Sequence, residues 1–126
     1  MAPAFELGPL QTVRVWVRDL DVARTFYGET LGLTSVFDGP VLTFQTGAVV
    51  LLVERAEPDD AESQDLVGRF LGLSFKSPDV RAVYEGFIAR GVSFLEPPER
   101  QPWGAVFAHF SDPDGNVFTV AEYAES

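Results

Sequence analysis

The sequence contains no cysteine and a single histidine, His109, among its 126 residues. The lack of cysteine excludes disulfide bonds, thiolate-bound metals and a cysteine nucleophile. The chain has no apolar run near the roughly twenty residues that cross a bilayer. Its first residues also lack the basic and apolar segments of a signal peptide. These absences predict a cytoplasmic protein without a membrane span.

Basic residues are scarce, since 9 Lys and Arg accompany 19 Asp and Glu and give a formal net charge of −10. Such a charge argues against nucleic acid and anionic membranes as partners. It weakly favours a cationic ligand, although solubility alone explains an acidic surface. The hydrophobic fraction of 46% is ordinary for a folded globular protein.

Hydrophobic periodicity divides the chain into two similar halves. The first half begins with strand-like alternation, changes to helical spacing and then has three further strand-like runs. After an acidic stretch, the second half repeats this order. The predicted strands are 12–18, 33–37, 41–45, 48–54, 70–76, 92–95, 105–110 and 117–122, and the predicted helices are 22–31 and one that begins at Asp79.

This repeat predicts an α+β fold in which two tandem βαβββ modules form a shared curved mixed sheet around a cleft. A single domain of residues 1–126 would hold module 1 at about 10–54, an acidic linker at about 55–68 and module 2 at about 69–123. One helix covers one face of its sheet. The apolar faces expected under the helices carry Val13, Val15, Val17, Leu71, Leu73, Phe75, Phe118 and Val120. The polar faces are then expected to line the cleft, where ligand sites form.

The stretch Asp112-Pro113-Asp114-Gly115-Asn116 precedes the last predicted strand. Asp and Asn side chains bond to the backbone of turns, and glycine adopts the positive φ that other residues resist. The stretch therefore predicts a tight hairpin turn.

The duplicated pattern resembles the vicinal oxygen chelate superfamily, which includes glyoxalase I, fosfomycin-resistance transferases, extradiol dioxygenases and bleomycin-resistance proteins. The resemblance covers roughly residues 10 to 123. The residues that carry it are Val15-Trp16-Val17-Arg18-Asp19-Leu20-Asp21, Phe26-Tyr27, Leu31-Gly32-Leu33, Asp79-Val80, Ala89-Arg90-Gly91-Val92 and the Asp112–Asn116 turn.

The enzymes of this superfamily usually hold a divalent metal with His, Glu or Gln on the first and last strands of each half. Carried onto this sequence, the ligand positions fall on Thr12, Leu51, Gly72 and Thr119. None of them offers the imidazole or carboxylate that such metals prefer. With these residues at the ligand positions, we expect no metal and no other cofactor. The resemblance leaves the catalytic residues unknown.

The predicted polar faces supply the candidate ligand-binding residues. Trp103 joins them because a Pro-Trp-Gly loop before the hairpin is similar to the loop that helps to wall the groove of bleomycin-resistance proteins. The full set is Thr12, Arg14, Trp16, Ser74, Lys76, Trp103, His109 and Thr119.

Several of these residues also have a plain structural interpretation. His109 fits a strand histidine with a hydrogen-bond partner, and Trp103 fits an apolar plug at the sheet edge. Glu54 and Glu122 occupy matching strand ends, as a carboxylate pair for acid–base chemistry or as charges in water.

The sequence favours a metal-free protein that sequesters a planar small molecule, as bleomycin-resistance proteins do, and the resemblance to those dimeric proteins implies a homodimer. Arg14 and Lys76 argue against a strongly cationic ligand and fit an anionic or carbonyl-bearing one. Whether the protein is an enzyme stays open. The alternatives are a metal-dependent glyoxalase-like lyase or dioxygenase, a metal-free enzyme that uses Arg14, Lys76 or His109, and a sensor or accessory module.

Overall fold

The computed structural model describes residues 5–123, and the first half forms a four-stranded mixed sheet, sheet A. Its strands are β1 (Thr12–Val17), β2 (Thr34–Phe37), β3 (Val41–Gln45) and β4 (Val50–Arg55). Their spatial order is β1-β4-β3-β2. β1 runs parallel to β4, and the other pairs are antiparallel.

The first helix, α1, spans Leu20–Arg24 and continues as a π-helical turn over Thr25–Thr30. It begins two residues before the predicted start because the Asp19 carboxylate accepts hydrogen bonds from the amides of Asp21 and Val22. In the π turn, Leu31 N donates to Phe26 O. Both aromatic residues of this turn, Phe26 and Tyr27, are buried.

The second half forms sheet B, with strand order β5-β9-β8-β6 and a short strand, β7, paired beside β8. Its elements are β5 (Phe70–Lys76), α3 (Val80–Ala89), β6 (Ser93–Phe94), β7 (Glu99–Arg100), β8 (Val106–Ser111) and β9 (Val117–Glu122).

Two elements were not predicted. β7 lies between the predicted strands 92–95 and 105–110, and helix α2 (Ala61–Gln64) lies in the acidic linker. A two-residue strand is too short to show alternation. α2 is a single polar turn capped by Asp60, so it has no apolar periodicity to detect.

The helix-side faces of both sheets contribute to one core. Tyr27 lies at its centre, with its ring centroid 5.9 Å from that of Phe44 on β3 and 6.0 Å from that of Phe118 on β9. Among the residues predicted for the apolar faces, Val15, Val17, Phe118 and Val120 are buried. Val13, Leu71, Leu73 and Phe75 are only partly buried.

The α+β class and the two tandem βαβββ modules are confirmed. The hydrogen-bonded strands form two separate sheets, and Trp16 on β1 also makes an isolated parallel bridge to Val67, in the linker before β5. Apart from this bridge, β1 and β5 are each paired with another strand along one side only, so they are edge strands. Within residues 5–123, no helix has both the length and the apolar composition to cross a membrane.

The turn at Asp112 joins the two modules. Asp112 Oδ1 accepts hydrogen bonds from the amides of Asp114 and Asn116, at 2.9 Å each. Asp112 Oδ2 accepts from the Tyr27 hydroxyl at 2.6 Å and from Asn116 Nδ2 at 2.8 Å. Asn116 Nδ2 also donates to Trp16 O, and Asn116 Oδ1 accepts from Gly68 N. The predicted turn thus holds α1, β1 and the entry to β5 in place.

Burial raises the pKa of the Tyr27 phenol well above its usual value of 10.0, and the neighbouring Asp112 carboxylate raises it further. The phenol is therefore neutral when it donates to Asp112.

Candidate functional site

Each sheet turns one face toward the common core and the other face away from it, and the latter is called here its open face. Strand alternation assigns the residues of these faces. The open face of sheet A carries Thr12, Arg14, Trp16, Thr43, Leu52 and Glu54. The open face of sheet B carries Ser74, Phe107, His109, Thr119 and Ala121 on its strands.

Arg14 is the centre of the open face of sheet A. Its guanidinium forms a two-point ion pair with Glu54, at 2.5 and 3.1 Å, and lies 4.8 Å from the centroid of the Trp16 ring. The hydrogen bond and the charge of Glu54 raise the pKa of Arg14 above its usual value. The carboxylate fixes the guanidinium over the indole. These three residues are called the Arg14 platform.

The structure does not bring Glu54 and Glu122 together. Glu54 forms an ion pair with Arg14 in sheet A. Glu122 Oε1 accepts a hydrogen bond at 3.0 Å from the amide of Val80, the first residue of α3. Both carboxylates hold structural partners, and they lie in different sheets. The arrangement offers no carboxylate pair for acid–base chemistry.

Aromatic side chains dominate the open face of sheet B. Trp103 contacts Phe107 at a centroid distance of 5.9 Å, and Phe107 contacts Tyr123 at 6.2 Å. His109 lies 5.9 Å from Phe70 and 6.5 Å from Phe107. Phe70 and Trp103 are each 65% exposed and Tyr123 is 50% exposed. These five residues are called the aromatic face.

Polar groups interrupt the aromatic face at one place. Cross-strand pairing aligns Ser74, Thr119 and His109 in a row over β5, β9 and β8. His109 Nδ1 lies 2.6 Å from Glu96 Oε1, which also accepts from the backbone amide of His109 at 3.1 Å. The sequence analysis predicted His109 but missed Glu96. The only local feature that marks Glu96 is its place directly before Pro97-Pro98, which follow the predicted strand 92–95.

The cleft between the modules of one chain has a volume of about 680 Å³ and is mainly apolar. Val13, Leu73 and Phe118 line it together with Leu51, although these three belong to the faces that were expected to lie under the helices. The structure differs here from the expectation because two short helices cover only part of those faces, which turn toward each other.

The predicted ligand-binding residues are thereby divided among three places. Ser74 and Lys76 lie on the open face of sheet B and also border the cleft, since β5 is an edge strand. The other predicted residues lie on open faces: Thr12, Arg14 and Trp16 on sheet A, and Trp103, His109 and Thr119 on sheet B.

The positions implied for a metal do not fit one. Leu51 is 1% exposed and its side chain points to the core. The metal-ligand position that the resemblance implied on this strand was therefore assigned one residue too early. In sheet A, Leu52 on β4 is the cross-strand neighbour of Arg14 on β1. In sheet B, Thr119 on β9 is the cross-strand neighbour of Ser74 on β5, so Leu52 is the counterpart of Thr119. Thr12, Leu52, Gly72 and Thr119 provide neither imidazole nor carboxylate. In the part of the chain that is described, no three His, Asp or Glu side chains are grouped to hold a metal ion.

Comparison with known proteins places these features in a family. Residues 10–120 match the Glyoxalase/Bleomycin resistance protein/Dioxygenase superfamily. The uncharacterized protein YetH of Bacillus subtilis (strain 168) is 31% identical over 118 residues, which cover 88% of this chain and 95% of YetH.

Solved structures agree with this match. A member of the same superfamily from Sphaerobacter thermophilus DSM 20745 has a TM-score of 0.82 and 29% identity, covering 93% of this chain and 98% of that one. TnmS3, described as an antibiotic binding protein from Streptomyces sp. CB03234, has a TM-score of 0.77 and 28% identity, covering 94% and 98%. The chain belongs to the glyoxalase/bleomycin resistance protein/dioxygenase superfamily.

Proposed function

We propose that the protein binds a planar small molecule against its aromatic face and sequesters it without a metal. The observation that carries this proposal is the exposure of Phe70, Trp103 and Tyr123 on one sheet face. Contiguous exposed aromatic surface is unfavourable in water and marks interaction sites. Flat rings offer stacking surface to a flat ligand.

The polar groups of the face suit ligand recognition. Small-molecule sites are mostly apolar and contain a few polar groups that set orientation. Here those groups are Ser74 and His109, which flank the buried Thr119 in the row across the strands. The likeness to TnmS3 supports a ligand of the antibiotic class.

The ligand-binding unit in this proposal is a homodimer. One chain separates the Arg14 platform on sheet A from the aromatic face on sheet B. A second copy can place its sheet A opposite the first copy's sheet B, so that each groove is walled by both chains. The free edges of β1 and β5 support this arrangement, because unpaired strand edges associate readily.

The charge of the groove favours a neutral or cationic ligand, which revises the expectation of an anionic or carbonyl-bearing ligand that rested on Arg14 and Lys76. Arg14 is already paired with Glu54, and Lys76 borders the inter-module cleft. The net charge of −10 adds a general attraction for cations. Bleomycin-type compounds and neutral planar heteroaromatics are therefore the first probes.

The chain's two tryptophans make the test direct, because Trp16 lies on one open face and Trp103 on the other. Trp16→Phe leaves fluorescence from Trp103, and Trp103→Phe leaves fluorescence from Trp16. A ligand held between two copies should quench both single-tryptophan variants over the same concentration range. The proposal fails if no planar compound quenches either variant.

The metal-dependent alternative has its own test. Purified protein that contains stoichiometric Zn or Ni and shows a turnover abolished by chelation would replace sequestration with lyase or dioxygenase chemistry.

A further inference from the structure

We propose that His109 accepts a hydrogen bond from a hydroxyl group of the ligand and that Glu96 positions His109 for this contact. The ligand class is a planar aromatic molecule with a phenolic or enolic hydroxyl. This inference rests on the proposed function and adds the chemical group that the aromatic face recognises.

The Glu96 carboxylate decides which ring nitrogen of His109 carries the proton. Nδ1 lies 2.6 Å from Glu96 Oε1. An ionised carboxylate only accepts hydrogen bonds, so Nδ1 must be the donor in this pair. The neutral imidazole then has no proton on Nε2, and this nitrogen presents a lone pair.

Nε2 is accessible to a ligand. Within residues 5–123 every buried side-chain nitrogen or oxygen atom has a hydrogen-bond partner. No hydrogen bond joins His109 Nε2 to the described residues, so this nitrogen is not fully buried. The His109 side chain is 26% exposed.

The ring is held rigidly for this role. Glu96 Oε1 accepts from both Nδ1 and the backbone amide of His109. Just after β6 ends, Leu95 N donates a hydrogen bond to His109 O on β8. Beyond this bond, Glu96 Oε1 takes the place of a backbone acceptor for the His109 amide. A fixed acceptor discriminates between ligands more strongly than a mobile one, because no side-chain freedom is lost on binding.

The surroundings of Nε2 select an aromatic hydroxyl. The rings of Phe70 and Phe107 lie close to His109, and Thr119 pairs with it across the strands. A flat ligand that stacks on these rings brings a hydroxyl at its edge to the imidazole. A methoxy group at the same place has no hydrogen to donate and leaves the acceptor unpaired.

The first measurement needs no ligand. His109 is the only histidine of the sequence, so ¹⁵N NMR of untagged protein at pH 8 shows its imidazole without ambiguity. We expect a protonated Nδ1 and an unprotonated Nε2. Glu96→Ala should lose this preference, and Glu96→Gln tests a neutral acceptor if the alanine variant folds poorly. A proton on Nε2 in the parent protein would overturn the assignment.

The second measurement compares 2-naphthol with 2-methoxynaphthalene by NMR titration, using the indole signals for affinity and the His109 Nε2 signal for contact. The parent protein should bind the naphthol about tenfold more tightly, and only the naphthol should shift Nε2. His109→Phe should bind both probes alike. Ser111→Ala, on the same strand and face, is the matched control and should keep the discrimination.

The outcomes separate the two proposals. Equal affinity for both probes with an unmoved Nε2 signal overturns the role of His109 and leaves sequestration intact. Binding of other planar compounds but of neither naphthalene also contradicts the hydroxyl class. If no planar compound moves an indole signal, sequestration and the role of His109 fail together.

Discussion

At the scale of single residues, stability depends on a small buried polar network. Asp112 accepts hydrogen bonds from the Tyr27 hydroxyl, the Asn116 side chain and two backbone amides. Tyr27 is 0% exposed, so its hydroxyl has no water to replace a lost partner. Substitutions in this network should therefore act on the contact between the modules as well as on the turn.

Tyr27→Phe should lower the free energy of unfolding by about 2 kcal/mol, because it removes a hydrogen bond to a charged acceptor and leaves the other bonds of Asp112 intact. Urea denaturation measures this. Tyr84→Phe, a half-buried tyrosine on α3, is the control and should stay within about 0.5 kcal/mol of the parent. An equal effect of both substitutions would show that the Asp112 bond contributes little.

Tyr27 also predicts a loss of stability in alkali. Its folded pKa lies above the unfolded value of 10.0, so the neutral phenol stabilises the fold fully below pH 10.0. As the pH rises above that value, the unfolded chain releases the proton more readily and stability falls. The parent should lose stability above pH 10.0, while Tyr27→Phe should lose less over the same range. Parallel pH profiles for the two proteins would contradict this.

At the scale of elements, both longer helices begin at an aspartate that the sequence already marked. Asp19 caps α1, and Asp79 caps α3 by accepting from Ala82 N at 3.1 Å. α3 has a second carboxylate at its start, because Glu122 accepts from Val80 N. Periodicity and capping predicted these helices, but the contact with Glu122, 42 residues further along the chain, follows only from the sheet.

Asp79→Ala should lower the free energy of unfolding by about 1 kcal/mol, the usual effect of losing an N-cap. Glu122→Gln should have a smaller effect, since the amide oxygen still accepts from Val80 but without charge. Thermal unfolding measures both, and Glu85→Ala on the exposed side of α3 is the control. A control as destabilised as Asp79→Ala would assign the loss to the helix in general.

At the scale of the whole molecule, the proposed dimer can be tested by a substitution on the aromatic face. Phe70→Asp should shift the proposed dimer toward monomer in analytical ultracentrifugation and weaken ligand binding, because it puts a charge on the aromatic face. Val36→Asp changes a similarly exposed apolar side chain on β2 and should leave the assembly unchanged. A parent protein that is monomeric at high concentration would contradict the shared groove.

The sequence pattern predicted the fold more completely than it predicted the candidate site. Repeated strand alternation and the helical spacing after Asp19 and Asp79 depend on neighbours along the chain, so they were visible. The error at Leu51 has a different origin. Its face is set by the register of β4 against β1, and a shift of one residue reverses the face.

By itself the sequence determined two βαβββ units, an acidic chain and a turn at Asp112. These properties follow from residue chemistry and local period. Only the tertiary structure decided that the apolar faces turn toward each other, that Asn116 reaches Trp16, and that Glu96 holds His109. Such contacts join distant residues, and their formation depends on packing that no local pattern encodes.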